Sequence, residues 1–223
     1  MAEVKLLGKW PCPYVLRARV ALQLKKVEYE YLEEELGGKS ELLLKSNPVH
    51  KKIPVLIHRG RPLCESLIIV QYIDEAWLAA PSLLPASAHD RAFHRFWAAY
   101  FDDKLSPLLT RLRNGERGRA NEEAAEGVKL LEEAFVRLSE GKGFFGGDEI
   151  GYLDITIGCH LGWIRVTERL MGFKLIEEAK VPGLAGWAER FCAHEAVQGI
   201  MPETEKLMEI FQLAQIHMKR SKR

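Results

Sequence analysis

A short apolar run, Val4 to Leu7, breaks at Trp10-Pro11-Cys12-Pro13-Tyr14-Val15, and no other segment limits the possible folds of this chain as tightly. Pro13 suits the first turn of a helix, where its missing N–H leaves no bond unmade and its fixed φ is already helical. A strand therefore hands over to a helix here, with Cys12 at or beside the N-cap. The sulfur would face unpaired backbone N–H groups and the positive end of the helix dipole, roughly half an elementary charge. Both favour thiolate over thiol, so Cys12 is expected to titrate below the free value of about 8.5 and to act as a nucleophile. The competing reading is a small apolar side chain tucked into the core.

The segments that follow alternate in character. Val4–Leu7 reads as a strand, Pro13–Lys25 as a helix, Glu28–Glu34 as an alternating strand and Ser40–Lys45 as a short helix. Pro54–His58 and Arg61–Cys64 read as two strands joined at the turn Arg59-Gly60. Ser66–Trp77 closes the set as a helix, with Leu67, Val70, Ile73 and Trp77 on one apolar face. The order β-α-β-α-β-β-α is that of a thioredoxin-like α/β domain, assigned to residues 1–78. Two prolines in Ala79-Ala80-Pro81-Ser82-Leu83-Leu84-Pro85 break the pattern, and 79–88 is taken as a linker. Residues 89–223 read as an all-α bundle, opening on the core stripe Phe93, Trp97, Tyr100 and Phe101 and continuing with helices near 120–140, 153–170, 183–193 and 202–217. Asp154, three residues after Gly151, has the place of a capping-box acid, with Ile150 and Ile155 as a hydrophobic staple, a folding role.

Composition narrows the partners. With 223 residues, 47% of them hydrophobic, the chain can bury a sizeable core, and a net charge of +1 gives no electrostatic reason to expect nucleic acid or a membrane. No apolar run reaches the ~20 residues that span a bilayer, and MAEVKLLGKW lacks a secretory h-region, which points to the cytosol. The four cysteines, Cys12, Cys64, Cys159 and Cys192, form no C-x-x-C pair, and the seven histidines form no H-E-x-x-H, so neither a disulfide framework nor a metal is expected. Gly141 to Gly147 is turn-rich but lacks the spacing of a phosphate loop. The tail Lys219-Arg220-Ser221-Lys222-Arg223 is read as solvated and receives no function.

Two segments surround Cys12 with binding chemistry. In Asn47–Leu56 a proline opens a strand, which in a thioredoxin-like domain is the place of a cis Ile53-Pro54 bond that leaves the Ile53 backbone free to pair with a peptide-like ligand. Cys64-Glu65-Ser66 lies at a strand end and helix start, where Ser66 suits an N-cap and the helix N-terminus suits an anion. Together they imply a ligand with a thiol, a backbone-like middle and a carboxylate.

N-P-V-H-K-K-I-P-V-L-I-H at 47–58, C-E-S-L-I-I-V-Q-Y-I-D-E at 64–75 and the W-P-x-P-[FY]-V pattern at 10–15 closely resemble plant tau-class glutathione transferases, with G-Y-L-D-I at 151–155 matching in the helical half. The resemblance implies a transferase of the glutathione transferase fold that binds glutathione through Lys39, Lys52, Ile53, Pro54, Glu65 and Ser66. It also implies a cytosolic homodimer and an apolar acceptor site between the domains, for which Trp10, Tyr14, Arg111, Trp163 and Phe211 are the candidates. Tau-class enzymes usually carry serine at the position of Cys12, whose hydroxyl donates to the glutathione thiolate. A thiolate cannot donate that bond, so the substitution points to glutathione-dependent thiol transfer through a Cys12–glutathione mixed disulfide, as the resemblance assigns to lambda-class and dehydroascorbate-reductase relatives. Val15 takes the place of a resolving cysteine, leaving release to a second glutathione. The alternatives are ordinary conjugation of electrophilic xenobiotics or peroxides with Cys12 as an S–H donor, and a non-catalytic carrier of apolar ligands.

Overall fold

A computed structural model describes residues 3–35 and 38–220, with side chains to residue 216. Four strands, β1 (Val4–Gly8), β2 (Glu30–Glu33), β3 (Val55–His58) and β4 (Arg61–Cys64), form one mixed sheet in the order β2-β1-β3-β4. β1 and β2 run parallel, with Lys5 opposite Glu30, so the chain must cross between them. Helix α1 (Pro13–Leu24) is that crossover. β3 pairs antiparallel with β1 and β4, and the β3–β4 turn has positive φ at both Arg59 (50°) and Gly60 (77°), as a tight two-residue hairpin requires.

Strand alternation sorts the core. Leu6 and its partner Leu56 point to the face covered by α1 and α3 (Ser66–Ala76), joining Val15, Leu16, Val20, Ile69, Val70 and Ile73. Leu7 and its partner Val55 point the other way and meet Leu43 of α2 (Glu41–Ser46). Ser40 caps α2, accepting the Leu43 N–H at 3.0 Å. At α3 the cap differs from the sequence reading: Glu65 occupies the N-cap position with φ 68°, and Ser66 is the first helical residue.

Beyond residue 87 all regular elements are helical: α4 (Ala88–Tyr100), a π-helical turn (Phe101–Leu105), α5 (Ser106–Arg113), α6 (Arg119–Ser139), α7 (Tyr152–Gly158), α8 (Leu161–Met171), α9 (Pro182–Ala193) and α10 (Thr204–Arg220). The helix expected over 153–170 is two helices. The His160 N–H bonds back only three residues, to the Ile157 carbonyl at 2.9 Å, and this tightened turn closes α7 before α8 begins. The π-helical turn and α5 were not singled out by the sequence pattern. Asp154 plays the capping part expected of it, but on a larger scale. Wholly buried, its carboxylate accepts the N–H groups of Gly151, Phe145 and Gly146 at 2.9 to 3.1 Å and the Trp187 indole at 2.7 Å. Of the tail Lys219–Arg223, the last three residues lie outside the described residues, as do the side chains of the first two.

The two halves are fastened at Arg17. This arginine is fully buried, yet it makes a bidentate pair with Asp102 (2.8 and 2.5 Å) and donates to the Thr156 carbonyl (3.2 and 2.9 Å) and to Ser66 Oγ (3.2 Å). One guanidinium thus ties α1 and α3 to the π-helical turn and α7. The linker is pinned in a similar way: Lys25 Nζ lies 2.7 Å from Asp74 and donates to the carbonyls of Ala80 and Pro81, while Asp74 accepts the N–H groups of Leu83 and Leu84.

Candidate functional site

Cys12 is the N-cap of α1, in extended backbone conformation, with Pro13 at the first helical position. It opens on a cleft of about 300 Å³ between the sheet domain and α5 and α8. Lys9, Pro11, Pro13, Tyr14 and Ile53 form one wall, and Ser106, Leu109, Thr110, Arg113, His160, Trp163 and Ile164 the other. Tyr14 Oη and Ser106 Oγ meet across it at 3.5 Å, and the Trp163 indole donates to the Pro11 carbonyl at 2.8 Å, which holds α8 against the Cys12 loop.

The thiol itself departs from the sequence expectation. Burial pushes the Cys12 pKa up, and the N–H groups of Val15 and Tyr14 and the charge of Arg17 pull it down by less. The N–H groups of Val15 and Leu16 both donate to the Cys12 carbonyl at 3.1 Å, and the sulfur makes no capping bond. Arg17, whose charge acts on the thiol, is committed to Asp102, Thr156 and Ser66. The balance of these influences favours the protonated thiol over the thiolate. The other cysteines are unpaired too, with Cys159 buried and Cys64 and Cys192 half-buried.

Of the six residues assigned to glutathione, Ile53 lines the Cys12 cleft and the other five are not part of its lining. The Ile53-Pro54 bond is cis, and Ile53 lies just before β3, outside its ladder and in no backbone hydrogen bond among the described residues. Pro54 is buried, whereas Lys39 and Lys52 are exposed and form no ion pair among the described residues. Glu65 is exposed at φ 68° and Lys51 sits at φ 54°, two left-handed residues on either side of the cis bond, a conformation that costs of order 1–3 kcal/mol each and gathers at ligand sites. The Ser66 hydroxyl is buried and accepts from Arg17, which fixes the start of α3.

Of the five acceptor candidates, Tyr14 and Trp163 line the cleft and the other three do not. Trp10 is half-buried and offers its backbone N–H to Glu33. Arg111 turns outward to pair with Glu116, and Phe211 sits half-buried on α10. The sequence reading passed over Ser106, Thr110, Arg113 and His160. The first three sit at i, i+4 and i+7 of α5, one helical face, which would have shown the wall had α5 been recognised. His160 is buried, with Nδ1 3.2 Å from the Thr156 carbonyl and Nε2 without a partner; desolvation and the Arg17 charge lower its pKa well below the ordinary value, so the ring is neutral.

Both halves of the chain have known relatives. Residues 2–75 match the glutathione S-transferase N-terminal domain and residues 76–190 the glutathione S-transferase C-terminal domain. Glutathione S-transferase U17 of Arabidopsis thaliana is 53% identical over 213 residues, covering 93% of this chain and 94% of that protein. Glutathione S-transferase U18 of the same plant is 55% identical over 212 residues, 93% of each. Among solved structures, the tau class glutathione S-transferase of mango, Mangifera indica, superposes with a TM-score of 0.92 at 58% identity, covering 95% of this chain and 98% of that one. A rice glutathione S-transferase solved in complex with glutathione gives 0.86 at 40% identity, covering 96% and 98%.

Proposed function

The chain belongs to the glutathione S-transferase family, tau class, with an N-terminal thioredoxin-like domain and a C-terminal helical domain, and from that premise we propose that it joins the thiol of glutathione to apolar electrophiles. Glutathione lies along the Ile53 backbone, its α-carboxylate at the start of α3 beside Ser66, its ammonium on Glu65 and its glycine carboxylate near Lys39 and Lys52. Its sulfur rests beside Cys12. The Cys12 S–H donates to that sulfur, lowering its pKa and holding it as a thiolate aimed into the cleft. With an aryl halide, the sulfur–carbon bond forms as the carbon–halogen bond breaks, halide departs, and the glutathione proton goes to solvent. The cytosolic homodimer belongs to the same proposal.

One feature carries the choice of conjugation: the half-buried Cys12 sulfur makes no capping bond, and desolvation shifts the thiol toward its protonated form, which suits a donor and not a disulfide-exchanging nucleophile. A second reading rests on the same position. Bound substrate that brings more N–H or positive charge to the sulfur would release the thiolate, which could attack a glutathionylated disulfide, form Cys12–S–S–glutathione and expel the substrate thiolate. A second glutathione would then give glutathione disulfide and free Cys12. Parallel assays of 1-chloro-2,4-dinitrobenzene conjugation and of exchange with hydroxyethyl disulfide separate the two. Conjugation by the native chain, kept in Cys12→Ser and reduced tenfold or more in Cys12→Ala, is expected, on the scale of about 10²–10³ for loss of one stabilising donor. Dominant exchange that vanishes in Cys12→Ser while conjugation rises would establish thiol transfer instead. Ligand binding without either reaction would leave the carrier.

A further inference from the structure

Among the described residues, two cations and no carboxylate line the Cys12 cleft. Lys9 donates to the Glu34 carbonyl at 3.1 Å. Arg113 is different. Half-buried at the C-terminal end of α5, it reaches only neutral groups among the described residues: Thr110 Oγ1 at 3.1 Å, Thr167 Oγ1 at 3.4 Å and the face of Trp163, 4.8 Å from the ring centroid. Its neighbours behave otherwise. Arg111 has Glu116, and Arg117 donates to the carbonyls of Leu112, Glu116 and Leu170. Desolvation lowers the Arg113 pKa, with Tyr14 the opposing influence, and among the described residues no acid pairs with it. A guanidinium nevertheless stays charged, and a partly buried charge is ordinarily paired.

The residues around Arg113 are themselves fixed. Thr167 Oγ1 donates to the Trp163 carbonyl at 2.8 Å, Thr110 Oγ1 donates to the Ser106 carbonyl at 3.1 Å, and the Trp163 indole is tied to Pro11. The fork is thereby held ready, with N–H donors unused, on the helical wall of the cleft. Glutathione has no claim on it, because Lys39, Lys52, Glu65 and Ser66 all lie outside this lining.

We propose that Arg113 is a specificity-determining residue that makes the cleft select electrophiles carrying a carboxylate on an apolar body. The carboxylate seats on the guanidinium fork, the body packs against Leu109, Ile164 and Trp163, and the reactive carbon is left toward the glutathione sulfur. Planar, two-point recognition of a carboxylate is what an arginine fork provides and a lysine does not. The choice of an electrophile rests on the conjugation reading, whereas the anion subsite does not.

The test measures binding and turnover separately. With the full chain saturated in S-methylglutathione, titration calorimetry compares 1-naphthoate with its neutral isostere 1-naphthamide in the native protein, Arg113→Gln and Arg113→Lys. A naphthoate preference of about tenfold to a hundredfold in the native protein is expected, the scale of a charged hydrogen bond. It should collapse to near one in Arg113→Gln and survive in part in Arg113→Lys. No preference in the native protein, or one that Arg113→Gln keeps, overturns the proposal. Equal weakening of both ligands, with the ratio intact, shows Arg113 to be structural and overturns it equally. In turnover, Arg113→Gln should raise KM for 4-chloro-3-nitrobenzoate about tenfold more than for 1-chloro-2,4-dinitrobenzene. Native naphthoate preference without turnover of either halide would remove the conjugation reading and leave the subsite standing.

Discussion

Changing Asp102 to Asn tests how the two domains are held in register. Among the described residues Asp102 is the only acid on Arg17, which has no exposed surface and whose other acceptors are the Thr156 carbonyl and the Ser66 hydroxyl. The amide keeps one acceptor but turns an N–H₂ toward a guanidinium N–H, and the buried cation loses its counter-charge. Breaking a buried pair from one side costs about 3–5 kcal/mol. The Asp102 side chain is 24% exposed, so water relieves part of the loss and the lower end, about 3 kcal/mol, applies. For a chain of this length each kcal/mol moves the melting point by roughly 2–4 °C, so Asp102→Asn should melt about 6–12 °C lower at fixed protein concentration. Since Arg17 also fixes Ser66, KM for glutathione should rise in the same variant. The double variant Arg17→Met with Asp102→Leu should be less destabilised than Arg17→Met alone, which leaves the carboxylate unpaired. A melting point within about 2 °C of native for Asp102→Asn would refute the clamp, given that sensitivity.

Asp154 supplies a pH signature. Burial pushes its carboxyl from 3.8 up to about 6 against the pull of its four donors. An acid whose folded pKa stands above its unfolded one holds its proton more tightly when folded. Its contribution to stability is therefore complete below pH 3.8 and is lost as pH rises through about 6. Urea unfolding of the native chain against Asp154→Asn should show the native chain gaining up to about 3 kcal/mol relative to the variant between pH 7 and pH 4, at ~1.4 kcal/mol per tenfold in proton affinity; a constant difference would contradict it. Gly158→Ala should cost about 1–3 kcal/mol, because its Cβ would stand 2.5 Å from the Phe191 ring, which is fully buried and unable to withdraw. Thermal melting checks this, and an unchanged midpoint would show that the Phe191 packing can yield.

The elements carried by local rules were legible from the sequence. Period-two strands, the Arg59-Gly60 turn and proline at a helix start placed the sheet and α1 within a few residues of their observed ends. Asp154 was readable as a cap, yet its bonds to Phe145, Gly146 and Trp187 were not, since they bring together residues up to 33 apart. The break at Cys159-His160 was hidden because no proline marks it and every residue of α7 is buried, so the sequence there runs on without a change of face. Arg17 carried one overlooked sign, a cation in the middle of the apolar run Val15 to Ala18. The Cys12 expectation failed for a more general reason. Position at a helix start is a sequence property, but burial belongs to the fold. Arg113 was missed in favour of Arg111 because two arginines two residues apart lie on different helix faces, and without α5 nothing says which faces inward.

The ionisation of Cys12 tests the central claim most directly. Its rate of alkylation by iodoacetamide, followed by intact mass across pH 5 to 10 and corrected with Cys12→Ser, gives the thiol pKa in place. A midpoint above the ordinary thiol value of 9.0 is the result this structure requires, and it leaves Cys12 a hydrogen-bond donor to glutathione. A midpoint below about 7 would mean that the helix start outweighs burial, and would make Cys12 the nucleophile of a thiol transferase.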